Sequence, residues 1–192
     1  MRGTWLTGVA FVLVLVGGRA PDAAQSGAAT ALFTLSSSNF TASGALAAAQ
    51  VYRGLGCSGG NLSPALTWSG APAGTQSFAI LVHDPDAPTA GGWWHWIVYN
   101  LPAATTSLPA GAGDPQKNLL PTGSVQGRTD FGSAGYGGPC PPPGAPHHYH
   151  FRIYALKVAR LDVPDNSAAA LVASKVRAQS LGEAELVGLY GR

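Results

Sequence analysis

Two apolar runs separated by a proline- and glycine-rich turn constrain the fold of this chain most strongly. The first run, residues 78–82, leads into the sequence DPDAP (84–88), and the second, residues 93–101, follows a Gly91-Gly92 pair. Prolines end a strand and stiffen the turn that follows, and a glycine pair lets the chain reverse. The segment therefore predicts two neighbouring strands joined by a rigid connection.

Polar side chains stand where these two strands meet the turn. Because alternate side chains of a strand share a face, Asp84 is expected on the face of Val82. By the same rule, His95 is expected on the face of Ile97 and Tyr99. The strand ends then deliver two carboxylates, Asp84 and Asp86, and an imidazole to one rim of the sheet.

The N-terminus has the pattern of an export signal. Arg2 precedes an apolar run over residues 5–16, which is shorter than the roughly 20 residues that span a bilayer. We therefore predict a signal peptide over residues 1–26, with cleavage after Ala20 or Ser26, and an uncleaved anchor is the alternative. The mature chain, a single domain over residues 27–192, is then periplasmic or secreted and has no transmembrane span.

Composition weighs against one class of partner and one class of fold. The formal net charge is +2 and only 10% of the residues are charged, so no basic footprint for nucleic acid is expected. The 26 Gly and 15 Pro residues predict many turns and argue against a helical bundle.

Cys57 and Cys140 are the only two cysteines of the chain. An oxidising compartment favours their pairing, so export predicts a disulfide between them. Two buried thiols are the alternative.

The remaining pattern predicts a mainly β domain, with irregular structure over most of residues 102–146. The predicted strands are residues 32–36, 64–68, 77–83, 93–101 and 147–158. A first helix is expected from Pro164-Asp165 onward, and the capping-box spacing of Ser180 and Glu183 predicts a second. The expected fold is a β-sandwich of two antiparallel sheets with one or two C-terminal helices.

Five polar residues stand at the predicted strand ends or just beyond them. They are Asp84, Asp86, His95, His147 and Tyr149. A carboxylate beside an imidazole fixes its tautomer and favours its charged form, so the imidazole can donate its other N–H to an anion. The Tyr149 hydroxyl and unpaired backbone amides near Gly137-Gly138 would add donors. The set predicts a binding site for an anion-bearing ligand rather than a catalytic site, and no cofactor.

The aromatic residues beside His95 predict a further contact with the ligand, and two other patterns suggest alternative functions. Trp93, Trp94 and Trp96 offer apolar or cation–π contact for an amine or lipid part of the ligand. Zinc held by two His and an Asp is an alternative, but its ligands would come from three separate segments without H-E-x-x-H spacing. The sequence GCSGG (56–60) matches G-x-S-x-G with Ser58 as nucleophile, yet no apolar strand precedes it.

Three blocks of the chain resemble the phosphatidylethanolamine-binding protein family, in its bacterial and archaeal Raf-kinase-inhibitor-like branch. The blocks are GGNLSPALTWSGAPAGTQSFA (59–79), DPDAPTAGGWWHWIVYNLP (84–102) and TDFGSAGYGGPCPPPGAPHHYHFRIYAL (129–156). The resemblance implies a β-sandwich with a small pocket for phosphate-like anions or for phospholipid headgroups such as phosphorylethanolamine.

The positions that match this family's pocket are Asp84, Asp86, Pro88, His95, Gly138, Pro139, His147 and Tyr149. One departure is His148, where many members have Arg. Family members also inhibit kinases or proteases, so an inhibitor acting through surface loops is the alternative function. An exported chain would not meet a cytosolic kinase, which makes a protease the more plausible protein partner.

Overall fold

Eleven strands and one helix are formed within residues 1–4 and 32–192, the part of the chain that this computed structural model describes. The strands are β1 (Thr34–Ser36), β2 (Gly44–Ala45), β3 (Arg53–Gly54), β4 (Cys57–Ser58), β5 (Leu66–Ser69), β6 (Ser77–Asp84), β7 (Trp93–Pro102), β8 (Ser107–Leu108), β9 (Val125–Gln126), β10 (His147–Leu156) and β11 (Ser180–Tyr190), and the helix is α1 (Ala169–Ala178). Apart from residues 1–4, the predicted signal peptide over residues 1–26 lies outside the described residues.

A six-stranded sheet in the order β2-β11-β10-β6-β7-β9 forms the centre of the fold. Its pairs are antiparallel, except for the short parallel pair between β11 and β2. A three-stranded antiparallel sheet in the order β1-β5-β8 lies apart from it, and β3 and β4 form a separate hairpin.

The main core lies between the two larger sheets, so the predicted sandwich is confirmed. Ile80, Val98 and Ile153 of the central sheet are in one cluster with Leu66 and Trp68 of the smaller sheet, and all five are almost completely buried. Burial of such apolar side chains is the main favourable contribution to folding.

The opposite face of the central sheet is covered by α1. Leu81 and Ile97 pack there with Val172 and Val176 of the helix. Because both faces of β6 and β7 are covered, nearly every residue of these strands is buried, which explains why they appear in the sequence as continuous apolar runs.

The second predicted helix is wrong. Residues Ser180–Tyr190 form β11, which pairs with β10 along its whole length. In this strand Ala184 and Leu186 are buried, whereas Glu183 and Glu185 are exposed, and this alternation is typical of a half-buried strand. Pairing with β10 therefore overrides the local capping-box spacing.

The first predicted helix is confirmed, although it begins later than expected. It starts at Ala169 rather than near Pro164, and Val172 and Val176 form its buried side. Between residues 102 and 146 only β8 and β9 are regular, as the density of glycine and proline predicted. Within residues 1–4 and 32–192, no helix is long and apolar enough to cross a bilayer.

Ile153→Ala is expected to lower the free energy of unfolding by about 2–5 kcal/mol, because it leaves a cavity in the centre of the main core. Ile153 has no exposed surface and pairs with Ile80 and Ala184 on its two sides. Urea unfolding measures the change. Leu171→Ala, at a position of α1 with 46% exposure, is the matched control and should change stability by no more than about 0.5 kcal/mol.

Candidate functional site

A β-bulge near the end of the β6–β7 pair positions the imidazole of His95. Val82 pairs with Trp96, but the next residue of β6, His83, pairs with Trp94. His95 is therefore an extra residue on β7, without a partner across the pair. A bulge interrupts the alternation of side chains and re-aims the residue that it inserts.

Because of the bulge, the predicted face of His95 is wrong. Ile97 and Tyr99 pack under α1, whereas the His95 ring meets Tyr149 edge to face, with 5.1 Å between ring centroids. Tyr149 belongs to the core between the sheets. Strict alternation was therefore the wrong rule here, and His95 lies on the same side of the sheet as the Tyr149 ring.

Asp84 joins the end of β6 to the start of β10. Its Oδ2 accepts a hydrogen bond from Nδ1 of His147 at 2.8 Å, and its Oδ1 accepts one from the backbone N–H of Asp86 at 2.9 Å. The carboxylate is almost completely buried. The carboxylate–imidazole pair expected from the sequence is thus present at His147, and it leaves Nε2 of that ring for other contacts.

His95 has a different partner, since its Nδ1 donates to the carbonyl of Gly137 at 2.6 Å. Burial lowers the pKa of His95 to about 4, although the carbonyls of Gly137 and Gly138 and the charge of Asp84 act in the opposite direction. The ring is therefore neutral at pH 7. With the proton on Nδ1, Nε2 is a hydrogen-bond acceptor.

Tyr149 brings a buried hydroxyl to the same place. The residue is only 1% exposed, and its Oη has no hydrogen-bond partner within 3.5 Å among the described residues, although the carboxylate of Asp84 lies close enough to act on it as an acceptor. Burial, together with the nearby negative charge of Asp84, raises the pKa of Tyr149, so the phenol keeps its proton. A buried hydroxyl without a partner loses free energy unless a ligand or water supplies one.

The glycine amides that the sequence offered as further donors are already in use. Gly137 donates its N–H to the carbonyl of His95 at 2.9 Å, and Gly138 donates to Oδ1 of Asn61 at 2.8 Å. Gly138 is instead needed for close packing, because a Cβ there would lie 2.0 Å from the carbonyl oxygen of Gln50. The carbonyl of the next residue, Pro139, accepts the N–H of Tyr52. Gly138 and Pro139 thus stabilise the loop beside the site through backbone contacts.

A cavity of about 190 Å³ opens above these side chains. Its polar residues are Asp84, Thr89, His95, His147 and Tyr149, and its other lining residues are Leu55, Ala87, Pro88, Trp93, Phe131, Cys140, Pro141 and Pro142. The cavity therefore combines a small polar floor with an apolar mouth, an arrangement typical of ligand sites.

Only one of the three tryptophans next to His95 faces the cavity. Trp93 lines it. Trp96 is buried in the core, where its indole N–H donates to Gln126. Trp94 packs on the other side of the sheet, against the ring of His83 and below the guanidinium of Arg177.

Asp86 lies outside the cavity and holds the turn that forms part of its wall. Its Oδ2 accepts hydrogen bonds from the backbone N–H of His148 at 2.8 Å and from Nδ1 of the same residue at 2.7 Å. These bonds lower the pKa of Asp86. His148 thus pairs with a carboxylate at the position where many members of the resembled family have Arg.

The predicted disulfide between Cys57 and Cys140 is confirmed. It ties the β3–β4 hairpin, with Leu55 at its tip, to the proline-rich segment that follows Cys140. Both Leu55 and Cys140 line the cavity. Ser58 is exposed beside the bridge, and nowhere in the described ranges do three His, Cys, Asp or Glu side chains form a metal-binding group.

The cavity residues that sequence analysis did not single out are mainly apolar and come from loops. They are Leu55, Ala87, Thr89, Phe131, Pro141 and Pro142. Loop residues follow no periodic pattern, so period-based analysis does not detect them. The available signal was the density of proline after Cys140, which indicates a rigid segment.

The family model described as phosphatidylethanolamine-binding protein matches residues 36–191. This chain belongs to the phosphatidylethanolamine-binding protein family. The resemblance noted from the three sequence blocks is therefore confirmed. Escherichia coli strain K12 has a relative, the UPF0098 protein YbcL, that is 51% identical over 164 residues, which make up 85% of this chain and 90% of that protein.

A solved structure of the same relative and one further family member extend the comparison. The crystal structure of E. coli YbcL, described as a new member of the mammalian PEBP family, has a TM-score of 0.82 at 50% identity and covers 84% of this chain and 99% of that one. The putative lipoprotein LppC of Mycobacterium tuberculosis (strain ATCC 25618 / H37Rv) is 38% identical over 135 residues, which make up 70% of this chain and 62% of LppC.

Gly138→Ala is expected to lower the free energy of unfolding by about 1–3 kcal/mol, because overpacking against backbone cannot be relieved by a rotamer change. A Cβ at this position would lie 2.0 Å from the carbonyl oxygen of Gln50 and 2.7 Å from the nitrogen of Tyr52. Urea unfolding measures the loss. Gly138 is not among the glycines with a positive φ, so the loss measures packing alone, and wild-type stability in this variant would contradict the packing explanation.

Protonation of His95 is expected to destabilise the fold in acid. Between pH 6.5 and about 4 the unfolded chain binds a proton that the native imidazole does not, so stability falls as the pH falls through this window. The contribution at stake is about 3 kcal/mol. Histidine NMR resonances should show no titration of His95 between pH 8 and 5, and His95→Gln should flatten the acid limb of the stability curve. A midpoint for His95 near pH 6.5 would contradict this assignment.

Proposed function

We propose that this protein is a non-enzymatic binding protein for small ligands that carry a phosphate group, such as inorganic phosphate or phosphorylethanolamine. The observation that carries the proposal is the Tyr149 hydroxyl, which is buried at the floor of the cavity without a hydrogen-bond partner among the described residues. A phosphate oxygen placed there would accept a hydrogen bond from this hydroxyl.

The dimensions and lining of the cavity support a small ligand. A volume of about 190 Å³ lies below the roughly 300–1,000 Å³ typical of drug-sized ligands. His95 and His147 both lie near Tyr149, with ring centroids 5.1 and 6.5 Å from the Tyr149 ring. Pro88 and Trp93 at the mouth would contact a short substituent on the phosphate.

The same site gives little support to catalysis. Its two imidazoles are each fixed through Nδ1, one to a backbone carbonyl and the other to Asp84. The exposed Ser58 does not line the cavity. A nucleophile activated by a neighbouring base would need a hydroxyl or thiol within hydrogen-bond reach of an imidazole, and the cavity's only cysteine, Cys140, is bonded to Cys57.

Export of the protein is part of this proposal. The apolar run over residues 5–16 has the length of a signal peptide. The Cys57–Cys140 disulfide suits an oxidising compartment, and one family relative carries the name of a lipoprotein. Phosphate-bearing ligands of an exported protein are free nutrients, small esters or membrane headgroups.

Calorimetric titration of the wild-type protein with phosphorylethanolamine and with inorganic phosphate is expected to show saturable binding. Tyr149→Phe should weaken binding roughly tenfold or more, because a hydrogen bond to a charged group contributes about 1.5–3 kcal/mol. His147→Ala should weaken it as well. His148→Ala is the matched control, since its side chain is 55% exposed, against 14% for His147, and lies outside the lining of this cavity.

Equal weakening by His147→Ala and His148→Ala would contradict the assignment of the cavity as the binding site. No binding of either ligand by the wild-type protein would overturn the proposed function. The search would then move to protein partners, beginning with proteases, and to the hairpin tip at Leu55, whose side chain is 70% exposed.

A further inference from the structure

A second cleft, of about 330 Å³, opens between β9, the turn over residues 127–134 and the segment over residues 164–167 that leads into α1. It shares no lining residue with the cavity above Tyr149. Its volume lies within the roughly 300–1,000 Å³ that is typical of sites for small molecules. Whatever this cleft binds is therefore independent of the phosphate site proposed above.

Tyr99 of β7 brings a largely buried hydroxyl to this second cleft. The residue is only 6% exposed, and its ring packs with Val125 and Val172. Within residues 1–4 and 32–192 its hydroxyl forms no hydrogen bond, and unlike that of Tyr149 it is not fully enclosed by protein. The accessible part of Tyr99 is therefore at the cleft, where a ligand can supply the missing partner.

The Tyr99 hydroxyl is a donor at neutral pH. Burial raises the pKa of Tyr99, the negative charge of Asp165 raises it further, and the positive charge of Arg160 acts in the opposite direction. A phenol that keeps its proton donates its O–H to an acceptor such as a carboxylate oxygen.

The N-terminus of α1 lies beside the same cleft, which is lined by residues 164–167 before the helix and by Val172 within it. Ala168 provides no side-chain cap, and no acidic residue stands in the first turn. The backbone N–H groups of Leu171 and Val172 both donate to the carbonyl of Ala168, which leaves the first two N–H groups of the helix without a partner in the helix. Such an end favours a nearby anion.

Two opposite charges also line the cleft, namely Arg128 and Asp165. Among the described residues neither of them forms an ion pair within 4.0 Å. A ligand with only a negative charge would be repelled by Asp165, whose charge already acts on the Tyr99 hydroxyl. A carboxylate bound at Tyr99 therefore needs a positive charge close beside it.

We propose that this cleft binds a small zwitterion with an apolar substituent, of which a free α-amino acid with an aliphatic side chain is the simplest example. Its carboxylate accepts hydrogen bonds from Tyr99 and Arg128, and its ammonium group faces Asp165. Its side chain contacts Val125 and Val172, which also line the cleft. An α-amino acid suits these positions because its ammonium group is attached next to its carboxylate.

The experiment is an NMR titration of the wild-type protein with L-leucine and with two analogues that each lack one charge. L-leucine is expected to bind saturably and to shift the amide resonances of Gly127, Ser133 and Ser167. 3-Methylbutylamine, which lacks the carboxylate, should bind at least about tenfold more weakly, because it loses hydrogen bonds to a charged group. 4-Methylpentanoate, which lacks the ammonium group, should bind about twofold to fivefold more weakly, since Asp165 is exposed and its ion pair is screened.

Tyr99→Phe removes only the hydroxyl and should weaken L-leucine binding about tenfold or more. Tyr52→Phe is the matched control, because Tyr52 is partly buried and lies outside this cleft, and it should bind L-leucine like the wild-type protein. Arg128→Gln, at an exposed position where folding is not at risk, should weaken binding about twofold to fivefold.

Asp165→Asn should remove the advantage of L-leucine over 4-methylpentanoate. Asp162→Asn, the same change at an exposed carboxylate outside the cleft, should keep that advantage.

No saturable binding of L-leucine by the wild-type protein would overturn the proposal. So would wild-type affinity in both Tyr99→Phe and Arg128→Gln, because the ligand would then be bound elsewhere. Tighter binding of 4-methylpentanoate than of L-leucine would also overturn it, since the cleft would then be a site for simple anions.

Discussion

The hydrogen bond between Asp84 and His147 is the contact on which the site depends most. It joins the last residue of β6 to the first residue of β10, beyond the point where the backbone ladder between these two strands has ended at His83 and His150. Without it, these strand ends would be held only by their other neighbours, Trp93 of β7 beside Asp84 and Tyr190 of β11 beside His147. The almost complete burial of Asp84 makes this single contact strong, because water cannot compete for the carboxylate.

The central sheet explains why such a short-range contact can be placed so accurately. β6, β7 and β10 are covered by the smaller sheet on one face and by α1 on the other. Side chains packed on both faces hold the backbone in one register, and a rigid backbone is what positions functional groups within a fraction of an ångström. The polar residues of the site occupy the ends of these same strands.

Much of the fold, and several of the residues that line the cavity, could be predicted from the sequence. The long strands have continuous apolar runs, and the DPDAP turn indicates where the polar rim begins. The direction of the His95 side chain could not be predicted, because a β-bulge depends on pairing with β6 and leaves no local signal. β11 was missed for a related reason, since the spacing of Ser180 and Glu183 suits a helix and only the neighbouring β10 decides for a strand.

The disulfide gives the mouth of the cavity a covalent link that its non-covalent contacts do not provide. The mouth is assembled from a hairpin near residue 55 and a proline segment near residue 141, two parts of the chain joined by Cys57 and Cys140 across a sequence separation of 83. Folding alone forms the floor of the cavity, whereas the rim is fixed only when oxidation forms the disulfide. A newly made chain therefore acquires its complete cavity in two chemically distinct stages.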